Sequence, residues 1–294
     1  MKFKELPQKW KRKIIVLSAV IILLASAIVM FNRFLASYRN SCADMRAVLV
    51  KDENDLIGER IEIARDGNAS VNANIYIPVN IGAEPLPVIF NIHGGGFVGG
   101  DADVLDTQSD RIANEWNVIV VTVNYTKADV KPITYGAGEI RDIVLYFAAN
   151  ADKYHADISR FTLMGYSAGA YYASEATRLL QKEDFNMESL VMCYPWTTGL
   201  DVKKLDENFS RTLFILAGND PISQRAKPYI DSMNAAGIET DTIEYESAVH
   251  SFIESNNPEG TTGSSDDMSY VINAEQESMA RQAEAEICDW LSNN

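Results

Sequence analysis

Cysteine and histidine are scarce in this chain of 294 residues, with three of each. Cys42, Cys193 and Cys288 are widely spaced and odd in number, so they form no CxxC pair, no zinc spacing and no disulfide framework. Positive charge is also short: 26 Lys and Arg stand against 41 Asp and Glu, a net charge of −15. That balance argues against nucleic acid as a main partner, because phosphate binding needs a positive footprint. The composition, 47% apolar and 23% charged, is ordinary for a globular protein and excludes a polytopic membrane protein. There is no internal repeat. Low complexity is confined to 254–267, rich in Glu, Asn, Gly, Ser, Thr and Asp, and reads as a loop; acid pairs such as Asp266-Asp267 read as solvated faces. By the same composition, the chain is neither disordered throughout nor collagen-like.

The first forty residues differ from the rest. They hold eight basic residues and one acid, Glu5, for a net +7, which leaves −22 on 41–294. Between the basic clusters, Ile14 to Phe31 is eighteen residues without a charge, broken only by Ser18 and Ser26. A helix of that length spans roughly 27 Å, close to the thickness of a hydrocarbon core. Two readings fit: an uncleaved membrane anchor, or a signal peptide cut at Ala25-Ser26-Ala27. Ile28, Val29, Met30 and Phe31 carry the apolar run past that site, which favours the anchor. Six Lys/Arg precede the span and four follow it within 32–51, so the N-terminus is expected inside and the globular part outside. No lipobox precedes Cys42.

From residue 58 onward, strands and helices alternate. Residues 41–57 read as a connecting segment. The alternating stretches 60–64 and 71–77 read as half-buried edge strands. Apolar runs at 87–92, 117–123, 161–164, 190–193, 213–217 and 242–245 read as covered strands. Helical stretches fall at 105–115, 137–150, 168–181, 222–235 and 274–291, the last with Met279, Ala283, Ala285, Ile287 and Trp290 on its apolar side. This order predicts an α/β fold with a mostly parallel sheet and helices on both faces.

Two motifs carry chemistry. Gly165-Tyr166-Ser167-Ala168-Gly169 lies between a strand and a helix, where a sharp turn pushes the serine hydroxyl outward and needs small residues on either side. His93-Gly94-Gly95-Gly96-Phe97 directly follows the strand 87–92, and its bare N–H groups suit the oxyanion of an acyl-transfer intermediate. A phosphate loop is the rival reading, but no Lys-Ser/Thr follows and the domain is acidic. Of the three histidines, His93 belongs to the glycine loop and His155 precedes the serine strand at the wrong end of the sheet. His250, after the strand 242–245, remains as the base. Asp220, at the end of 213–217 and before Pro221, is the candidate orienting acid; helix capping explains the same residue equally well. Asp201 and Glu246 are its weaker rivals.

These motifs, with Ala217-Gly218-Asn219-Asp220-Pro221 and His250-Ser251-Phe252, resemble those of the α/β-hydrolase superfamily, most of all the hormone-sensitive-lipase-like esterases and related carboxylesterases. The resemblance runs over about 60–290. Asn124-Tyr125, Pro132 and Asp142 match the family's segment after its fourth strand loosely. The resemblance implies an α/β-hydrolase domain at 58–294, which follows the connecting segment at 41–57 and the anchor or signal segment at 1–40 read above from charge and hydropathy. It further implies Ser167 as nucleophile, Asp220 and His250 as its partners, and an oxyanion hole from the N–H groups of Gly94, Gly95 and Ala168. No metal or organic cofactor is implied. Two departures stand out: Ala170 replaces a glycine common in relatives, and the stretch between 190–193 and 213–217 has room for a loop and at most one short helix, where many relatives insert cap helices. The site is therefore expected to be open or lightly lidded, suited to small acyl esters or acylated polymers. Substrate choice falls to loops 97–107, 195–211 and 251–270, which carry no readable code. A serine peptidase of the same fold is an alternative without room for a gating domain. A non-catalytic binding protein is another, although all three triad residues are present.

Overall fold

The computed structural model describes residues 7–205, 208–256 and 273–293. The greater part of 254–267, including Asp266-Asp267, and of the loop 251–270 lies outside the described residues, as do Lys2, Lys4 and Glu5. The chain divides into two compact units, Met1–Met45 and Arg46–Asn294.

The first unit is formed by one helix, α1, which starts at Gln8 and ends at Ala47. Its apolar run is exposed throughout, and it is long and apolar enough to cross a membrane; a signal sequence meets the same criterion. Residues 41–47, expected as connecting segment, are helical.

The second unit is built on one sheet. Its strands are β1 (Glu59–Arg65), β2 (Asn68–Tyr76), β3 (Leu86–Ile92), β4 (Ile119–Val123), β5 (Ala156–Tyr166), β6 (Ser189–Cys193), β7 (Arg211–Ala217) and β8 (Thr240–Tyr245). The spatial order is β1-β2-β4-β3-β5-β6-β7-β8. β1 and β2 are antiparallel to their neighbours, and β3 to β8 pair in parallel. The sheet is thus mostly parallel, as the alternation predicted. The strand read at 71–77 is not an edge strand, however. β2 is held between β1 and β4, and its alternation reflects one covered and one partly open face rather than an edge position.

Side chains alternate across the sheet into two cores. Val88, Phe90 and Ile92 of β3 join one, with α3 (Ile133–Ala149), α5 (Ala168–Gln181) and α7 (Lys227–Ala235). Ile89 joins the other, with α2 (Asp106–Trp116) and α9 (Ala274–Ser292). Short turns of helix, α4 (Ala151–Tyr154), α6 (Pro221–Gln224) and α8 (Phe252–Ser255), and 3-10 turns at Ala102–Leu105 and Val202–Lys204 complete the elements among the described residues. The helix expected at 222–235 is split into α6 and α7, because Pro228 has no N–H to return to the carbonyl four residues back. On α9 the buried positions are Gln276, Ala280, Ala283, Glu284 and Ile287, while Ala285 is exposed. Glu284 is tolerated inside because Arg111, Arg281 and Gln108 all reach its carboxylate.

The order β4-β3-β5 marks the topological switch point: the chain leaves β3 to one side for β4 and returns on the other as β5. Crevices that bind ligands in open α/β sheets lie at the carboxyl ends of such strands. Ile92 and Gly165 face each other in register at that end, so the loops leaving β3 and β5 start side by side.

The approach to β1 is tied down by two buried acids. Asp106 accepts from the Lys51 Nζ at 2.7 Å, the N–H groups of Ile57 and Gly58 at 3.1 and 3.2 Å, and the Tyr76 hydroxyl at 2.9 Å. Asp103 accepts from Lys51 N, Arg60 and Asn74. Burial and the Asp106 charge push the Tyr76 phenol far above its ordinary value, so it stays a donor. Asp106→Ala leaves those donors without their shared acceptor and is expected to lower stability by about 3 kcal/mol. The unfolding midpoint of the full chain in detergent reads this loss; an unchanged midpoint would show that the segment is held some other way.

Candidate active site

Ser167 occupies the turn between β5 and α5 with φ 52° and ψ −117°, a strained conformation for a residue with a side chain. The glycines around it answer close approaches. A Cβ on Gly165 would sit 2.5 Å from the Gly169 carbonyl oxygen, and one on Gly169 would collide with the carbonyl oxygens of Ile92 and His93. The turn is therefore packed both on itself and against the loop leaving β3. Ser167 N donates to Cys193 O at 2.9 Å, and Trp196 N donates to Ser167 O at 3.2 Å, which locks the turn to β6 as well.

The glycine loop lies directly beside the serine. A Cβ on Gly94 would stand 3.4 Å from the Ser167 Cβ. The loop closes through Gly99 N donating to Gly95 O at 2.7 Å. Among the described residues, no acceptor pairs with the N–H groups of Gly94, Gly95 or Ala168. His93 is wholly buried and stacks on Tyr125, with centroids 4.5 Å apart and planes 12° apart. Burial drives its imidazole well below the ordinary range, and the charge of Lys127 adds to this, so the ring is neutral. Its Nδ1 lies 2.6 Å from Gly94 O, a donation that shapes the loop.

His250, on the turn after β8, completes the constellation. Its Nε2 is 2.9 Å from the Ser167 Oγ, and its Nδ1 is 2.6 Å from Asp220 Oδ2. Asp220 is also the N-cap of α6: Oδ1 accepts from Ile222 N at 2.8 Å and Oδ2 from Ser223 N at 3.1 Å. The capping and orienting readings of this residue are both realised, in one carboxylate. The turns that carry Asp220 and His250 are stitched by Gly218 N to Tyr245 O (2.8 Å) and Asn219 N to Ala248 O (2.9 Å). With Nδ1–H given to the carboxylate, Nε2 presents its lone pair to the serine hydroxyl, the geometry of a general base facing a nucleophile.

The other candidates are elsewhere. His155 sits at the opposite end of the sheet, where its carbonyl accepts from Leu86 N. Asp201 caps a 3-10 turn at Val202–Lys204. Glu246 is exposed. Sequence reading missed two supports of His250. Tyr194 sets its ring edge-to-face against the imidazole at 5.3 Å, and Gln276 of α9 bonds Val249 N and Ser247 O. Tyr194 had a usable signal, since it directly follows a covered strand at the carboxyl edge; Gln276, in an acidic helix, had none. Gly169→Ala is expected to force the two turns apart and cost about 1–3 kcal/mol, measured as a lowered unfolding midpoint. No change would mean that the contact with Ile92 and His93 relaxes freely.

A family model described as alpha/beta hydrolase fold matches residues 89–207, and one described as carboxylesterase family matches 40–128. Gut esterase 1 of Caenorhabditis elegans is 27% identical over 162 residues, 50% of this chain and 28% of its own length. An acetyl esterase of Salmonella schwarzengrund is 24% identical over 127 residues, 43% of this chain and 38% of its own. The chain thus spans less than half the length of the curated relatives it matches. Among solved structures, an esterase of Pyrobaculum calidifontis superposes with a TM-score of 0.67 at 20% identity, covering 88% of this chain and 93% of the other.

Proposed function

We propose that this chain, which has the α/β-hydrolase fold, is a serine carboxylic-ester hydrolase acting on small acyl esters or acylated polymers. The observation that carries this reading is the continuous hydrogen-bonded line from Ser167 through His250 to Asp220, set against the Gly94 turn.

In the reaction, the Ser167 Oγ attacks the ester carbonyl carbon while His250 Nε2 takes its proton. The carbonyl oxygen becomes an oxyanion bound by the N–H groups of Gly94, Gly95 and Ala168, each worth about 3 kcal/mol in the transition state. The helix N-terminus behind Ser167 favours the same charge. Asp220 keeps the imidazole in the required tautomer and stabilises the imidazolium. Collapse of the intermediate breaks the bond to the alcohol, which leaves with the proton from His250. Water, deprotonated by His250, then attacks the acyl-enzyme and releases the acid and free Ser167.

The small-acyl preference draws on three features. Among the described residues, the connection from β6 to β7 carries only the 3-10 turn at Val202–Lys204 and no cap helix. Phe97, at the end of the glycine run, packs edge-to-face with Tyr171 and Trp196, at 5.5 and 5.9 Å. The Salmonella relative is named an acetyl esterase. α1 supplies a membrane anchor with the hydrolase unit on the outer side.

Ser167→Ala is expected to reduce kcat at least about 10⁴-fold, and a fluorophosphonate probe to label Ser167 in the unaltered chain. A silent serine would make the protein a binder rather than an enzyme. In a nitrophenyl ester series the acetyl and butyryl esters are expected to turn over fastest, and a maximum at palmitoyl would overturn the small-acyl reading. The full chain is expected to stay with membranes through an alkaline carbonate wash. Release with a mature N-terminus near Ile28 would identify a cleaved signal peptide instead.

A further inference from the structure

The segment after β4 holds a lysine that the chemistry above does not use. Lys127 is only 4% exposed. Its Nζ donates to Tyr125 O at 2.6 Å and to Asn124 Oδ1 at 3.1 Å, and it lies 4.2 Å from the centroid of the Tyr125 ring. Asn124 in turn donates to Asp101 Oδ2 at 2.7 Å. Tyr125 is the surface on which His93 stacks, and its hydroxyl donates to His93 O at 2.8 Å. One residue past Lys127, Ala128 N donates to Phe97 O at 2.8 Å. His93 and Phe97 bracket the glycine run, so both ends of that run are fastened to 125–128, and the lysine fastens 125 to 124.

A buried ammonium group is a demanding choice for a fastener. Asp101, Glu139 of α3 and Asp129 face it and favour its charge; Arg46 opposes it, and the neighbouring His93 is neutral. Burial is the largest influence and brings the group down to about 7. The amine retains enough hydrogens for both acceptors, but those bonds lose their charge assistance.

We propose that Lys127 is a positioning residue of the ester-hydrolysis site: its ammonium group clamps Asn124 and Tyr125, and Tyr125 sets the turn that presents the Gly94 and Gly95 N–H groups to the oxyanion. The inference rests on the esterase reading. A clamp on the oxyanion donors acts where negative charge develops, so it affects kcat and leaves KM nearly unchanged.

The test uses the full chain in detergent with p-nitrophenyl acetate, and kcat is expressed per serine titrated by fluorophosphonate. Lys127→Met is expected to lower kcat about 10–100-fold with KM within about threefold, since misplaced donors forfeit part of the oxyanion stabilisation. In the unaltered chain kcat is expected to decline above about pH 7; in Lys127→Met that decline is absent. Stability moves the other way. Between about 7 and the ordinary 10.5 the unfolded chain binds the proton that the folded chain has lost, so this residue's contribution to stability rises with pH. A merely structural lysine would make activity follow stability; a positioning lysine makes kcat fall while the unfolding midpoint, relative to the Met variant, rises. If Lys127→Met does not fold, the pH profile of the unaltered chain decides alone, and a kcat flat from pH 7 to pH 10 overturns the proposal. An unaltered chain no more active than Ser167→Ala removes the esterase reading and this inference with it. An active chain whose Met variant matches it in kcat and in alkaline decline removes this inference alone.

Discussion

Everything at the candidate site depends on how closely two backbone turns approach each other. The loop leaving β3 and the turn leaving β5 begin at residues in register, Ile92 and Gly165. They touch where Gly169 meets the carbonyls of Ile92 and His93, a distance at which no side chain fits. Parallel strands a hydrogen bond apart bring the loops near; the absence of a Cβ lets them touch. That contact sets Gly94 beside Ser167. A looser fit would leave both motifs intact and the chemistry without a place to occur.

The second dependence is economical in residues. One carboxylate, Asp220, caps α6 and binds His250. The bonds from Ile222 N and Ser223 N hold the carboxylate in one orientation, and the imidazole is then oriented by a group that cannot rotate away. The same arrangement explains why the acid is Asp and lies directly ahead of a proline. The helix start fixes the carboxylate, and Pro221 at the first helical position needs no partner for an N–H it lacks. Stability and positioning are here one set of bonds, so no substitution at 220 separates them cleanly.

Much of this was legible in the sequence, for reasons that differ by residue. The strands of the parallel region showed because a sheet covered on both faces needs β-branched runs such as 119–123. Ser167 and His250 showed because chemistry demands particular residue types at strand ends, and only three histidines compete. What stayed hidden depends on long-range partners. Lys127 reads as a surface lysine until Asp101, Glu139 and Tyr125 are known to surround it. Glu284 reads as the solvent face of an acidic helix until Arg111 arrives from α2. The break between α6 and α7 was written in Pro228, but the apolar spacing of 222–235 is continuous across it. The placement of β2 inside the sheet was not legible, because alternation reports which faces are covered and is silent about neighbours.

The lack of cap helices among the described residues has a consequence for how the site is shaped. In a capped hydrolase a mobile layer can close over the substrate and exclude water after binding. Here the rings packed about the site leave the strands directly: Phe97 after β3, resting on Trp196, and Tyr194 and Trp196 after β6, the first of them against His250. Each is held by the sheet through a few residues of backbone, as when Trp196 N bonds Ser167 O. Side chains so fixed keep one shape, because a packed interior does not deform continuously. The surroundings of Ser167 are in this way set by the sheet and its short loops rather than by any single residue.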